Sequence, residues 1–167
     1  MNKPRPPLPK KKQLAVFRRD RWICRWCNRP AIFPPVMRLI EREVRKAGTV
    51  EPLSYHHAHW TRTDAPLLDE LGAVVDHVDA HSTGGSSDES NLATSCCKCN
   101  GRKSAASLNE WTKRPQRKPV KGKYGEPQYW DGLSALFLAL ARRDSSNLTA
   151  PEREWLKILG EAAPDAV

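Results

Sequence analysis

What this 167-residue chain lacks most is long apolar runs. Its most apolar stretch, Leu133 to Ala141, is far too short to span a bilayer, so no membrane partner is expected. The opening MNKPRPPLPKKK has basic residues with no apolar core behind them, which excludes a signal peptide. Aromatics are sparse at 7% of residues, and acids are outnumbered, Asp+Glu 19 against Lys+Arg 28, for a net +9. An even set of cysteines, the mark of a secreted disulfide framework, is also missing. The five present fall as Cys24-x-x-Cys27 and Cys96-Cys97-x-Cys99, a clustered set suited to a metal and to a reducing cytoplasm. The length allows one modest core with at most a small appended unit.

The basic excess favours a polyanionic partner, nucleic acid first and an anionic membrane surface second, although a plain soluble basic protein would fit the same composition. Its distribution is uneven. Residues 1–13 carry Lys3, Arg5, Lys10, Lys11 and Lys12, and residues 102–123 carry eight basic groups against the single acid Glu110. These two segments account for more than the whole net charge. The first, residues 1–12, holds four prolines and reads as a disordered basic arm.

From residue 13 the chain reads as a folded unit to about residue 111. Gln13–Arg19 allows one or two helical turns before the first cysteine pair. A lone Cys-x-x-Cys is weak evidence, either redox or incidental; two pairs make the thiolate set that a tetrahedral zinc needs, Cys24, Cys27, Cys96 and Cys99. Cys97 is either a free thiol or a replacement for Cys96. Closing so long a loop costs about 4 kcal/mol of chain entropy. A structural zinc contributes roughly 10–16 kcal/mol, so the metal outweighs that cost.

An insertion at about residues 29–72 separates the pairs. Within it Pro34-Pro35 starts a helix carrying Val36, Met37, Ile40 and Val44 at helical spacing, with Gly48 at its end. Arg38, Arg42, Arg45 and Lys46, interleaved with Glu41 and Glu43, read as its wet face before a DNA-tracking one. His56, His57 and His59 have no neighbouring carboxylate or cysteine and read as packing histidines beside Trp60. Asp64–Leu71 suggests a short helix feeding a strand, Val74–Val78. A Gly84-Gly85 turn, a polar loop to Asn91, a second short strand and a helix from Lys98 to about Trp111 follow. Residues 112–130 form a basic linker rich in proline and glycine. Residues 131–167 read as a helical hairpin, one helix over Asp131–Arg143 with Leu133, Leu136, Phe137 and Leu140 as a stripe. The other is signalled by the capping box Thr149-Ala150-Pro151-Glu152 and carries Trp155, Leu156, Ile158 and Leu159. This hairpin either docks on the cysteine-pinned core or recruits a partner.

The order Arg19-Asp20-x-Trp22-x-Cys24-x-x-Cys27, then Asp76-His77, Asn91 and Cys96-x-x-Cys99-Asn100-x-x-Lys103, resembles the HNH endonuclease family over about residues 15–108. The resemblance implies a small α+β fold: a zinc-stabilised ββα-metal, treble-clef-like core with a helical insertion and a C-terminal helical hairpin. It implies a metal-dependent endonuclease that nicks or cuts DNA, with RNA not excluded, in a bacterial or phage-infected cell. His77 is then the general base, and Asp76 and Asn100 hold a catalytic divalent ion. Asn91 braces the loop behind His77, while Lys103, His81 and Arg19 contact the substrate. Asn100 stands where a third histidine is frequent, which favours magnesium over zinc or nickel. A break in both strands would need a dimer or a larger nucleic-acid-processing machine. The competing readings are a non-catalytic zinc-dependent nucleic-acid-binding module and a packaging or recombination accessory. One difficulty is physical: neighbours on a flat strand point to opposite faces, so Asp76 and His77 can share a phosphate only where the strand ends or twists.

Overall fold

The computed structural model describes residues 7–48, 70–118 and 130–162. Among them, six α-helices surround one antiparallel pair of strands: α1 (Lys10–Arg19), α2 (Pro34–Lys46), β1 (Ala73–His77), β2 (Leu92–Cys96), α3 (Cys97–Lys103), α4 (Leu108–Lys113), α5 (Ser134–Arg143) and α6 (Ala150–Glu161). This is the small α+β architecture the sequence predicts, with β1, β2 and α3 as a continuous ββα unit. None of the described helices is long and apolar enough to cross a membrane. His56, His57 and His59, and all but the end of the helix expected over Asp64–Leu71, lie outside the described residues.

α1 begins three residues earlier than expected, so Lys10–Lys12 belong to a helix and not to the arm. The cause lies at the other end of the chain. Lys10 pairs with Glu154 and sits 5.9 Å from the centre of the Trp155 ring, Lys11 pairs with Glu161 at 3.3 Å, and Arg18 donates to the Ala162 carbonyl at 2.8 Å. Lysine also favours helix intrinsically, so the ion pairs extend it at little cost.

α2 starts on its two prolines and buries Val36, Met37 and Leu39, with Ile40 partly covered. Arg38, Arg45 and Lys46 are exposed, as a wet face requires, yet most of the helix's charges are also ion-paired. Arg42 bonds Glu152 at 2.9 Å, Arg45 bonds buried Glu41 at 2.6 Å, Lys46 bonds Glu43 at 3.0 Å and also Asp144, and Arg143 reaches Glu43. These pairs run from α2 to α5 and α6, so the C-terminal hairpin is docked. Phe33 carries the same contact in the core. Its ring meets Trp22, Phe137 and Trp155 edge-on at 5.7, 5.2 and 5.0 Å, and Trp22 stacks on Phe17 at 4.7 Å. Aromatic pairs of this kind contribute roughly 0.5–1.5 kcal/mol each beyond their buried area.

Two helix boundaries differ from expectation. The helix predicted from Lys98 to Trp111 is two helices, broken where Ser104 takes φ 51°. Ser107 and Glu110 then cap α4 reciprocally, a local signal strong enough to restart a helix. α5 begins at Ser134 and not at Asp131, because the Asp131 carboxylate accepts from Leu133 N, Ser134 Oγ and Ala135 N at 2.9, 3.2 and 2.8 Å. At α6 the Thr149–Glu152 capping box is formed as predicted.

Gly132 shows how closely the hairpin is seated. It takes φ +69°, and a Cβ there would lie 2.4 Å from the Trp22 ring. Gly132→Ala combines left-handed strain with overpacking and should lower unfolding stability by about 2–4 kcal/mol in urea titration. Gly101→Ala, inside α3 with open space at the Cβ position, should raise it by about 0.5–1 kcal/mol.

Candidate metal centre and active cleft

Four thiols from two distant stretches meet in the interior. The first pair sits on a tight turn in which Cys24 N donates to the Arg29 carbonyl and Asn28 N to the Cys24 carbonyl, both at 2.9 Å. Left-handed φ values at Arg21, Trp22 and Asn28 curl the chain around it, and Arg25 N donates to the Thr94 carbonyl at 2.9 Å, fixing the turn to β2. Cys96 ends β2 and Cys99 lies in the first turn of α3. The Sγ atoms of Cys24, Cys27, Cys96 and Cys99 all lie within 4.8 Å of one another. Cys27 Sγ and Cys96 Sγ are 3.8 Å apart. A tetrahedron with zinc–sulfur bonds near 2.3 Å has edges of about 3.8 Å, so the donor set and its spacing fit that ion. Cys97 is outside the cluster and half-buried, which leaves Cys96 as the fourth donor. Hydrogen bonds from Cys24, Cys96 and Cys99 hold the Cys27 thiol far below its ordinary value. The reverse applies to Cys99, pushed up by its bonds to Cys24, Cys27 and Cys96. Such crowding is what a bound dication relieves.

β1 pairs with β2 so that Asp76 faces Ala93 and His77 faces Leu92 across the ladder. The strand ends at His77, and this resolves the difficulty of adjacent residues on opposite faces. Asp76, His77, His81 and Asn100 all line one open cleft of about 290 Å³. Asp76 is buried, its Oδ2 accepting from Trp26 Nε1 at 2.9 Å and its Oδ1 from Lys103 Nζ at 3.2 Å. Burial pushes the Asp76 carboxyl up, and Lys103 and then Trp26 oppose that shift. Each oxygen keeps a second lone pair for another partner.

Lys103 lines the same cleft, but its ammonium is engaged within the protein. It is 0% exposed, and its ammonium donates to the His77 carbonyl at 2.6 Å as well as to Asp76. The reason is helical geometry, since Lys103 lies four residues after Cys99 and points to the same buried side of α3. Arg19 is likewise engaged within the protein. It donates to the Glu89 and Leu92 carbonyls at 2.7 and 2.6 Å and to Asp20 at 2.8 Å, while Asp20 accepts from Thr94 N at 2.7 Å. That pair locks the end of α1 to β2. His81, exposed, holds its ring 6.1 Å from that of His77.

Asn91 does brace the loop. Its Oδ1 accepts from Asp79 N at 2.8 Å, its Nδ2 donates to the Asp79 and Ser86 carbonyls at 3.0 and 2.8 Å, and its own carbonyl accepts from Val78 N at 2.9 Å. Gly85 lets the loop close this tightly, because a Cβ there would fall 1.9 Å from the Asp79 carbonyl oxygen. The brace brings Ser87 Oγ to 3.5 Å from His77 Nε2. Ser87 and Trp26 are the site residues that sequence reasoning missed. Trp26 had no readable signal, since its partner Asp76 is 50 residues away.

Residues 66–106 match the family model described as HNH endonuclease. The match takes in β1, the braced loop, β2 and α3, with Cys96 and Cys99, and leaves out the first cysteine pair, α4 and the C-terminal hairpin. Searches of curated proteins and of solved structures return no match. A ββα unit with Asp76, His77 and Asn100 on one cleft thus lies within the stretch that matches the HNH endonuclease model.

Proposed function

We propose that the protein is a metal-dependent endonuclease hydrolysing phosphodiester bonds in DNA, working in the reducing cytoplasm of a bacterial or phage-infected cell. The observation that carries this reading is the shared cleft of Asp76, His77 and Asn100. His77 is the general base that takes the proton of the attacking water, imidazole being the side chain most often used for that step. Ser87 and the Asn91-braced loop steady its ring. Asp76 and Asn100 would hold a divalent ion, one carboxylate and one neutral oxygen being a normal protein share for magnesium, and that ion supplies charge neutralisation at the phosphate and the departing oxygen. Trp26 and Lys103 fix the carboxylate while leaving lone pairs for the ion. A second ion, zinc, joins Cys24, Cys27, Cys96 and Cys99 and holds the two halves of the domain together.

Phosphate contact falls to exposed groups, Arg19 among them, rather than to Lys103, which is fully buried. His81 lines the cleft, and Arg25 is exposed with its guanidinium 5.5 Å from the Trp26 ring centre. One cleft cuts one strand, so a double-strand break requires a second copy, a partner or a second encounter.

Supercoiled-plasmid nicking by His77→Ala should be about 10²–10⁴-fold slower than wild type, with DNA affinity nearly unchanged. Equal rates would assign the base elsewhere. Trp26→Phe keeps the ring and removes the hydrogen bond to Asp76, so single-turnover cleavage should slow by about 10–100-fold while gel-shift affinity holds. Elemental analysis should find one zinc per chain, lost in Cys24→Ser together with the near-ultraviolet signature of packed tryptophans. A folded, zinc-free Cys24→Ser protein would remove the structural ion from the scheme.

A further inference from the structure

The basic stretch after α4 has a role that its charge does not suggest. Residues 114–118 are tied to both cysteine-bearing segments. Arg29, two residues after Cys27, donates to the Lys118 carbonyl at 3.1 Å, and Arg102 of α3 donates to the Pro115 carbonyl at 2.6 Å. Arg114 returns two bonds to α3, at 3.1 and 3.4 Å to the Arg102 and Lys103 carbonyls, and Gln116 donates to the Trp111 carbonyl at 2.5 Å. The chain therefore straps across the gap between the two knuckles, and Arg117 sits in the middle of the strap.

Its guanidinium is largely covered, at 19% exposure. One arm binds Glu70, which also pairs with Lys98, the residue preceding Cys99. The other arm, Nη1, is buried and has no hydrogen-bond partner. A buried guanidinium N–H without an acceptor is costly unless its charge is matched by anionic groups nearby. Besides Glu70, the thiols of Cys27 and Cys96 act on Arg117 electrostatically. Four thiolates around a dication carry a net charge of −2 in a dry interior, and Glu70, Lys98 and Arg117 together supply one net positive charge at its edge.

From this geometry we infer that Arg117, outside the family-matched segment, is a positioning residue of the zinc centre, its buried charge at the edge of the cluster offsetting that of the thiolates. The inference rests on the zinc reading above. Loss of an outer partner of this kind typically weakens metal binding by about 10–100-fold.

The test uses the full chain loaded with zinc and challenged with excess chelator, release being followed with a colorimetric zinc indicator. Arg117→Met keeps the apolar stem and should release zinc about 10–100-fold faster than wild type. Arg117→Lys should fall between them, and Lys118→Met, which removes the same charge one residue along the strap, should match wild type. Cobalt(II)-loaded protein supplies a readout that a merely structural role would not move. The sulfur-to-metal charge-transfer band should shift to longer wavelength in Arg117→Met, because thiolates that lose a nearby positive charge are better donors. An unmoved band, a wild-type release rate, or an equal effect of Lys118→Met overturns the inference. If Arg117→Met does not fold, a wild-type release rate and band in Arg117→Lys overturn it equally. A wild type that binds no zinc refutes the zinc centre itself and this role with it.

Discussion

Everything in this fold depends on bringing two cysteine pairs, some 70 residues apart in the chain, into a single dry cluster. Neither β1 nor β2 is long enough to stand alone, and a two-stranded sheet is marginal in water. The cluster supplies the missing constraint at the Cys96 end of the sheet, where the aromatic core around Phe33 and Trp22 also packs on Ala73. Arg19 and the Asn91 brace hold the His77 end. With both ends held, the ladder can stop at His77 and present two consecutive side chains to the same cleft.

Around that cleft the electrostatics are arranged inward. A lysine, an indole and a carboxylate share one buried contact, and the lysine also fixes the backbone of the residue that carries the imidazole. A buried ion pair of this sort contributes geometry more than stability, because desolvation offsets most of the attraction. The same economy governs the chain's basic residues at large. Arg19, Arg42, Arg45, Lys46, Lys103, Arg114 and Arg117 all donate to protein acceptors. The surface left to attract a polyanion is therefore smaller than the net charge implies.

What could be read from the sequence was what is local or chemically distinctive. The four cysteines, both short strands, the proline-started α2 and the Thr149 capping box all rest on neighbours within a few residues, and the structure has them. The Asn91 brace came from family likeness, and its side chain does bond Asp79 and Ser86 across the loop. The internal bonds of Lys103 and Arg19 were not legible, because their partners lie 26 and 73 residues away. Lys103 nonetheless left a trace, its four-residue step from Cys99. The break at Ser104 was also legible, in the Ser107-x-x-Glu110 pattern, and was overridden by the apparent continuity of apolar positions.

Trp26 lies between two of the clustered thiols and at the same time holds the carboxylate of the cleft. One side chain thus belongs to both the scaffold and the chemistry. An oxidant that joined Cys24 to a neighbouring sulfur would reshape the turn on which this indole rides and shift Asp76 without ever entering the cleft. The state of the cysteine turn and the geometry of the cleft are thus coupled through a single indole.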